Sequence, residues 1–382
     1  MGKHGKKQTL NHRREKRTSY TVQDDGDELG LHEYSLSPQP SSSREAAPSD
    51  SDQESQEENE ESQDKGEDDK GTDDGLPSKY SLYQQSVQSP KGDISYLQKF
   101  FLMYVGGRAP LHLQEDFCGT ALLSVEWLHG DARRTAIGLD LDVEALNWCL
   151  TNNVNRIGAD VSSRLSLLHG NVLQPHESKL VNVNPLADMQ NLTLKDNEDG
   201  SVHDGKYCKD MQLPERDIVC AFNYSCCCLH NRKELILYFK HVLNALSKKG
   251  GIFVMDLYGG SSSEGVLRLQ RRFPNFTYIW EQAEFDIIQR KTRISLHFNL
   301  QKQHRKIRHA FSYSWRLWSL PEIKDCLEEA GFSSVHFWIR EMPNSKEMRC
   351  TDGLSVGQDV KYEEATSFEQ QDSWNAYIVG VA

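Results

Sequence analysis

The stretch EDFCGTALLSVEW, Glu115 to Trp127, sets two carboxylates beside a tight bend that runs into an apolar helix. The preceding LHL has strand character. Glu115 and Asp116 therefore close a strand at its carboxyl end, where open α/β sheets hold their ligands. A third acid, Asp140, closes the next strand, TAIGLD, about 25 positions further on, near the spacing of a carboxylate that accepts from both hydroxyls of a ribose. The bend is poor in glycine. A pyrophosphate needs several glycines to admit its charged oxygens, and here only Gly119 stands in the turn. Acids next to the bend would repel phosphate and attract a cation. The combination predicts a phosphate-free, positively charged nucleoside as ligand, a description that S-adenosylmethionine meets through its sulfonium and ammonium groups.

The surrounding pattern supplies the elements that such strand tips require. LHLQED (111–116), TAIGLD (135–140), RLSLLHGN (164–171), DIVCAF (217–222) and IFVMDLYGG (252–260) read as strands. The last is apolar almost throughout, as a strand buried on both faces should be. Between them TALLSVEWLHG, VEALNWCLTNN and RKELILYFKHVLNALSKKGG have helical periodicity, the last ending in basic residues and glycine. Such alternation predicts an α/β fold with a mostly parallel sheet covered on both sides. The C-terminal half differs. FTYIWEQAEFDII, TRISLHFNLQ and IRHAFSYSWRLW predict an antiparallel, aromatic-rich β cap over about 276–318. LPEIKDCLEEAGF reads as a helix, and SVHFWIR and WNAYIVGVA as two further strands. The polar, aperiodic stretch over about 174–215 is too long for an ordinary loop and is expected to be a mobile insertion.

Composition narrows the part that folds. Of the 382 residues, positions 24–75 hold 19 acidic and three basic side chains, and positions 1–23 hold seven basic and one acidic. Residues 1–78 are expected to be a disordered tail, leaving 79–382 as one domain. The net charge of −12 resides mostly in that tail, so the acidic balance says little about the domain's ligands. GKHGKK and NHRREKR suggest a nuclear or nucleolar address, a weak nucleic-acid contact, or simply a solvated basic end. A secretory signal is not expected, nor a membrane span, so the nucleus, nucleolus or cytoplasm is the anticipated location. Nine cysteines without a regular framework fit a reducing compartment.

Taken together, EDFCGTA, GLDLD, HGNV, DIVCAFNYS and LSKKGGIFVMDLYG resemble the successive motifs of class I S-adenosylmethionine-dependent methyltransferases. The match spans roughly 111–260, with a looser one over 315–382. YSLYQQSVQSP and SWRLWSLPE further resemble a subgroup of uncharacterised methyltransferase-like proteins. The resemblance implies a Rossmann-like, seven-stranded sheet with an antiparallel C-terminal strand, S-adenosylmethionine as cofactor, and an unidentified methyl acceptor. It implies that Glu115 holds the methionine ammonium, with Asp116 and Phe117 beside it and Cys118, Gly119 and Thr120 forming the turn. Asp140 would bind the ribose, Leu141 and Asp142 would lie beside the adenine or start the next helix, and Asn171 and Val172 would contact the adenine. Asn223 and Tyr224 would face the transferring methyl as the catalytic candidates. Phe117 and Ala121 stand where the family has glycine, so the bend is expected to follow another backbone path.

Other chemistry fits less well. Cys226, Cys228 and His230 could ligate zinc, but a second cysteine pair at ligand spacing is missing. A cysteine nucleophile would need a Pro-Cys context, and the loop also lacks the Asn-Pro-Pro-aromatic motif of enzymes that methylate base or glutamine amino groups. Tyr83, Tyr224, Tyr258 and His230 are candidates for lining a pocket, each with ordinary packing as the alternative role. The basic run KQHRKIRH (302–309) could meet an anionic acceptor and reads better as a solvated hairpin turn. A methyltransferase acting on a small molecule or protein side chain is favoured over one acting on RNA, because the domain is nearly neutral. A catalytically inactive scaffold in the nucleus is the alternative, and a nicotinamide-dependent oxidoreductase is disfavoured by the missing glycines.

Overall fold

The computed structural model describes residues 76–181, 213–342 and 361–382. The tail expected over 1–78 and the insertion expected over 174–215 fall mostly outside these residues. Two helices precede the first strand: α1 (Lys79–Val87), whose N-cap Ser78 side chain accepts from the Tyr80 amide, and α2 (Pro90–Tyr104), opened by Pro90. Then come β1 (His112–Asp116), α3 (Leu122–His129), β2 (Thr135–Asp140), α4 (Val143–Asn152), α5 (Ala159–Ser162) and β3 (Leu165–His169). They are followed by β4 (Lys179–Leu180), β5 (Ile218–Ala221), α6 (Arg232–Ala245) and β6 (Ile252–Gly259). A meander of β7 (Leu267–Arg272), β8 (Phe276–Gln282), β9 (Lys291–Leu300) and β10 (Arg305–Arg316) precedes α7 (Leu320–Ala330), β11 (Ser334–Glu341), β12 (Glu363–Glu364) and β13 (Trp374–Val381).

The main sheet has the order β12-β11-β13-β6-β5-β1-β2-β3-β4. The neighbours β3, β2, β1, β5 and β6 run parallel, and β13 runs against both β6 and β11. This is the expected Rossmann-like sheet, with the two-residue β4 and β12 added at its edges. From β1 the chain builds outward through β2 and β3, then returns to place β5 on the other side of β1. The tips of β1 and β5 thus flank the switch point where such sheets open a crevice.

Each face of the sheet is covered. On one side Leu97, Phe100 and Phe101 of α2 and Trp127 of α3 pack on Leu113 and Val254. On the other, Leu235, Phe239 and Val242 of α6 and Ile323 and Leu327 of α7 pack on Phe253 and Met255. Local signals end these helices as the sequence suggests. Ser319 and Glu322 form a reciprocal capping box on α7, and Gly331 takes the left-handed conformation after it.

The β7–β10 meander forms a separate four-stranded sheet. Its register puts Tyr278 opposite Phe298, Trp280 opposite Leu296, Phe311 opposite Leu296 and Tyr313 opposite Ile294, so these side chains share one face. That face continues the core lined by Tyr224 and Tyr258. The sheet begins nine residues before the expected cap, because β7 (LRLQRR) alternates only two leucines with polar residues and gives a weak strand signal. KQHRKIRH lies at the β9–β10 hairpin, with residues 302–306 exposed.

Gly138 lies opposite Glu115 in the β1–β2 register, and a Cβ there would fall 2.9 Å from both Cys118 Sγ and Leu167 Cδ2. Its bare backbone lets the bend after β1 settle on β2. Gly138→Ala is expected to lower stability by about 1–3 kcal/mol in chemical denaturation. Adding Cys118→Ala should recover part of that loss; strict additivity of the two changes would count against this packing.

Candidate active site

The bend after β1 is a run of left-handed residues. Phe117 (φ 55°), Gly119 (φ 52°) and Ala121 (φ 48°) all have positive φ, a conformation that penalises side chains with a Cβ. The expected alternative backbone path is therefore not taken: Phe117 and Ala121 adopt the conformation for which glycine is ordinarily used. Tertiary packing holds them there. The Cys118 amide donates to the Leu139 carbonyl at 3.1 Å, the Ala121 amide to the Cys118 carbonyl at 2.7 Å, and Ala121 is fully buried. Phe117 packs against Tyr238 with ring centroids 5.7 Å apart.

Asp140, at the tip of β2, clasps this bend. Its Oδ2 accepts from the Gly119 amide at 2.6 Å, and its Oδ1 accepts from the Asp142 amide at 2.8 Å. Burial raises the Asp140 carboxyl above the ordinary range, with its backbone donors acting in opposition. Glu115 lies deeper. Its Oε2 takes both the amide (2.9 Å) and the hydroxyl (2.6 Å) of Ser124 on α3. Burial pushes its carboxyl up to about 7, with Ser124 acting in opposition and the charges of Asp140 and Asp93 adding to the rise. Glu115 and Asp140 thus share one electrostatic neighbourhood. Asp116 is on the opposite face of β1, by the alternation of a strand. There it accepts from Gln114 Nε2 at 2.7 Å and from the Tyr238 hydroxyl at 2.9 Å, and burial pushes it up to about 6.

Across the crevice, the tip of β5 carries Asn223 and Tyr224, both left-handed (φ 57° and 60°). Asp256 of β6 caps this strained pair. Its two oxygens accept from the Asn223 amide at 3.0 Å and the Tyr224 amide at 2.8 Å. Burial pushes Asp256 up to about 8, opposed by those amides and reinforced by the charge of Asp93. The sequence reading missed this residue. Its signal was a lone acid within the otherwise apolar IFVMDLYG strand. Tyr224 also donates from its hydroxyl to Asn375 Oδ1 at 3.1 Å.

Helix α1 roofs the crevice. Gln84 Nε2 donates to Thr120 Oγ1 at 2.7 Å, and the Tyr80 hydroxyl meets Asp142 Oδ2 at 3.4 Å. Tyr83 reaches further in: burial raises its hydroxyl, and the charges of Asp256 and Asp140 raise it again, so both carboxylates act on one phenol. The ring of Tyr83 stands 5.0 Å from that of Phe311 on the cap sheet. The roof thus joins the strand tips to the cap.

Other predicted residues have different settings. Cys118 is buried against β2, and Thr120 also accepts through its carbonyl from Asn153 Nδ2 at 2.8 Å. Asn171 Oδ1 accepts from the Leu173 amide at 2.9 Å, Val172 is buried in the core, and Leu141 is 63% exposed. His230 binds the Ser314 carbonyl on β10 at 2.7 Å, and Tyr258 packs inside at 4.8 Å from the Tyr224 ring. Cys226 and Cys227 are buried thiols, raised by that burial, whereas Cys228 is exposed. Among the described residues no group of three or more metal-ligating side chains occurs, and no helix is long and apolar enough to cross a membrane. A depression of about 580 Å³, lined by Val266, Glu284, Lys291 and Arg293 among others, shares no residue with the crevice.

No family model and no curated protein matches the sequence. Similar solved structures include an S-adenosylmethionine-dependent methyltransferase from Clostridium acetobutylicum (13% identity, 78% of this chain and 96% of that one, TM-score 0.47). The CcbJ methyltransferase from Streptomyces caelestis is another (11% identity, 81% and 94%, TM-score 0.48). A third is CalS10, an amino pentose methyltransferase from Micromonospora echinaspora, solved with S-adenosylmethionine bound (13% identity, 78% and 94%, TM-score 0.44). At these values the strand order and the contacts within this chain must carry the functional reading unaided.

Two measurements check the strained, acidic character of the crevice. Ala121→Gly should leave stability unchanged or raise it by up to about 1 kcal/mol, because it removes a left-handed Cβ; a loss above about 1 kcal/mol would contradict the geometry. Glu115, Asp116 and Asp256 have folded values (about 7, 6 and 8) above those of solvated carboxyls, so folding takes up protons. Their contribution is fully present below the unfolded values and is lost as pH rises through the folded ones. The thermal midpoint should decline less steeply from about pH 5 to about pH 8 in Asp256→Asn than in the parent; equal slopes would show that Asp256 does not titrate in this window.

Proposed function

We propose that this chain is an S-adenosylmethionine-dependent methyltransferase whose cofactor lies across the tips of β1, β2 and β5. The carrying observation is the 2.6 Å bond from the Gly119 amide to Asp140 Oδ2. A phosphate-binding bend would turn its amides toward the ligand. Here the glycine amide is spent on a carboxylate, so the bend offers negative charge to whatever enters.

The other groups fit a cationic nucleoside. Asp140 is half-buried at the mouth and has the oxygen lone pairs to accept from ribose hydroxyls. Glu115 has committed Oε2 to Ser124, leaving Oε1 for the ammonium of the methionine end. Asn171 and Val172 stand at the tip of β3, on the side where the adenine would lie. When bound, the cofactor supplies a methyl group on a sulfonium, open to in-line displacement by an acceptor lone pair. The protein's own part is alignment and exclusion of water, and proximity can account for much of the acceleration of such a transfer. Helix α1 and the aromatic face of the cap sheet close the crevice, while Asp256 fixes Asn223 and Tyr224 at its far wall. A small molecule or a protein side chain suits such a walled site better than RNA does. The basic N-terminal segment is the proposed place for any nucleic-acid contact or nuclear address.

Calorimetry with S-adenosylmethionine tests the site. Asp140→Ala should abolish measurable binding, and Asp140→Asn should weaken it at least about tenfold, roughly 1.4 kcal/mol, with circular dichroism unchanged. Since burial raises these carboxyls, the cation must displace protons from them. Affinity should therefore rise from about pH 6 to about pH 8, with protons released to the buffer. Binding indifferent to Asp140 would refute the assignment.

A further inference from the structure

The face of the cap sheet turned away from the core is strongly basic. From Leu267 to Arg316 the chain carries eleven Lys or Arg against three Asp or Glu. Three of these cations are engaged elsewhere: Arg271 donates to the Ser86 carbonyl, Arg290 to Glu264 and Arg316 to Glu322. The others lie on the outward face or along the β9–β10 hairpin. Tyr278 and Phe298 point into the core, so their neighbours Thr277 and Asn299 point out. The register sets Arg272, Thr277, Asn299 and Lys306 in one row across β7, β8, β9 and β10. Arg268, Glu281, Ser295 and Ser312 make a second, parallel row. Cations thus mark both rims of the sheet, about 14 Å apart at three interstrand spacings, with hydroxyl and amide groups between them. Arg268 pairs with Glu281 at 3.6 Å, whereas the exposed Arg272, Lys306 and Arg308 have no ion pair among the described residues.

Between the two rows lies His297, opposite Ile279. It is only 7% exposed, and its Nδ1 accepts from the His309 amide at 2.9 Å. With Nδ1 accepting, the neutral ring keeps its proton on Nε2. That donor has no hydrogen-bond partner among the described residues, and Glu281 Oε2 stands 3.7 Å away. Burial lowers the imidazole, Glu281 opposes this, and the charges of His309, Arg268 and Arg308 lower it again. The ring therefore sits in a mostly positive field. Buried donors are ordinarily bonded, so this one marks a place where an acceptor is received. Val266, Ala283, Lys291, Arg293 and Ser314 continue the same face into the depression of about 580 Å³.

The chemistry of the face selects its partner. Uncompensated cations along both rims call for a polyanion. Arginine, lysine, hydroxyl and amide groups are the usual contacts of nucleic-acid phosphates and sugars. An acidic protein would need apolar anchors to seat on, and the large apolar side chain in these rows, Ile279, is itself buried. The rows also lack an aromatic ring on which a base would stack, so contacts run to the backbone. We propose that the outward face of the cap sheet binds single-stranded nucleic acid through its phosphates. Arg272, Lys306 and Arg308 neutralise the backbone, and His297 Nε2 donates at the floor. This surface is separate from the crevice and supplements the basic N-terminal segment with a folded contact.

The test titrates full-length protein with fluorescein-labelled oligo(U), oligo(dT) and a duplex, each of about 20 nucleotides per strand, and follows anisotropy across a salt series. Polyglutamate serves as the acidic-peptide probe. Arg272→Ala/Lys306→Ala/Arg308→Ala should weaken single-strand binding roughly hundredfold at about 0.1 M salt and flatten the log–log salt slope by about 2, at about 0.7 per phosphate contact. Glu281→Gln, which removes the acid from these rows, should strengthen it. Lys302→Glu/Arg305→Glu, confined to the exposed hairpin, repeats the test should the triple variant melt early. Equal binding of the two oligomers would support a backbone contact common to RNA and DNA, and tighter oligo(U) binding a contact to the 2′-hydroxyl; both uphold the surface. Tighter duplex binding, polyglutamate binding as tight as the oligomers', or no binding by any single strand would overturn it. So would full affinity in both face variants beside loss in Arg13→Ala/Arg14→Ala/Lys16→Ala/Arg17→Ala, which would place the contact in the N-terminal segment instead.

Discussion

Asp140 and the Gly119 amide form the contact on which the crevice depends. A carboxylate at the end of β2 reaches across to the bend after β1 and consumes the one donor that a glycine there would offer a ligand. Two consequences follow from this bond. It pins a bend that contains two non-glycine residues in left-handed conformations, each costly in isolation. It also fixes the sign of the site, since a bend that ends in a carboxylate attracts cations and repels phosphate.

The same device recurs across the crevice. Asp256 takes the amides of Asn223 and Tyr224, another left-handed pair, as Asp140 takes those of Gly119 and Asp142. In both places an acid, Asp140 at the end of β2 and Asp256 within β6, offsets local backbone strain by accepting two backbone amides. The acids are buried closely enough to raise one another, as the charges of Asp140 and Asp93 on Glu115 show. Such clustering destabilises the empty fold at neutral pH, and a bound cation would relieve it. Stability and cation affinity are thus two readings of one set of carboxylates.

Closure comes from elements outside the parallel sheet. Helix α1 is tied to the bend by Gln84 and to the start of α4 by Tyr80, while Tyr83 meets Phe311 of the cap. The cap sheet contributes its face through strand alternation, which brings Tyr278, Trp280, Phe311 and Tyr313 to one side. The parallel sheet supplies the acids; the roof and the cap supply the dry, aromatic surroundings in which those acids are strong partners.

Much of this was legible in the chain before folding was considered. Period-two and period-3.6 patterns located β1, β2, β3, β5, β6 and the helices between them, because burial on defined faces dictates those periods. The acids at 115, 116 and 140 were visible as strand ends for the same reason. Tertiary structure decided which of them face the crevice. Asp116 turned to Tyr238 and Gln114 because alternate residues of a strand point to opposite sides, and no local signal says which side will be the ligand's. The left-handed Phe117 and Ala121 were likewise illegible: intrinsic propensity disfavours them, and only the packing against β2 and α6 holds them. Helix α1 has little segregation of apolar residues, and Asp256 is distant in sequence from the Asn223 and Tyr224 amides that it accepts from. Sequence by itself determined the repeating elements and the chemistry at their ends, through local periodicity. The assembly of a roofed, aromatic and acidic crevice from residues 80 to 315 required the long-range contacts that only the fold provides.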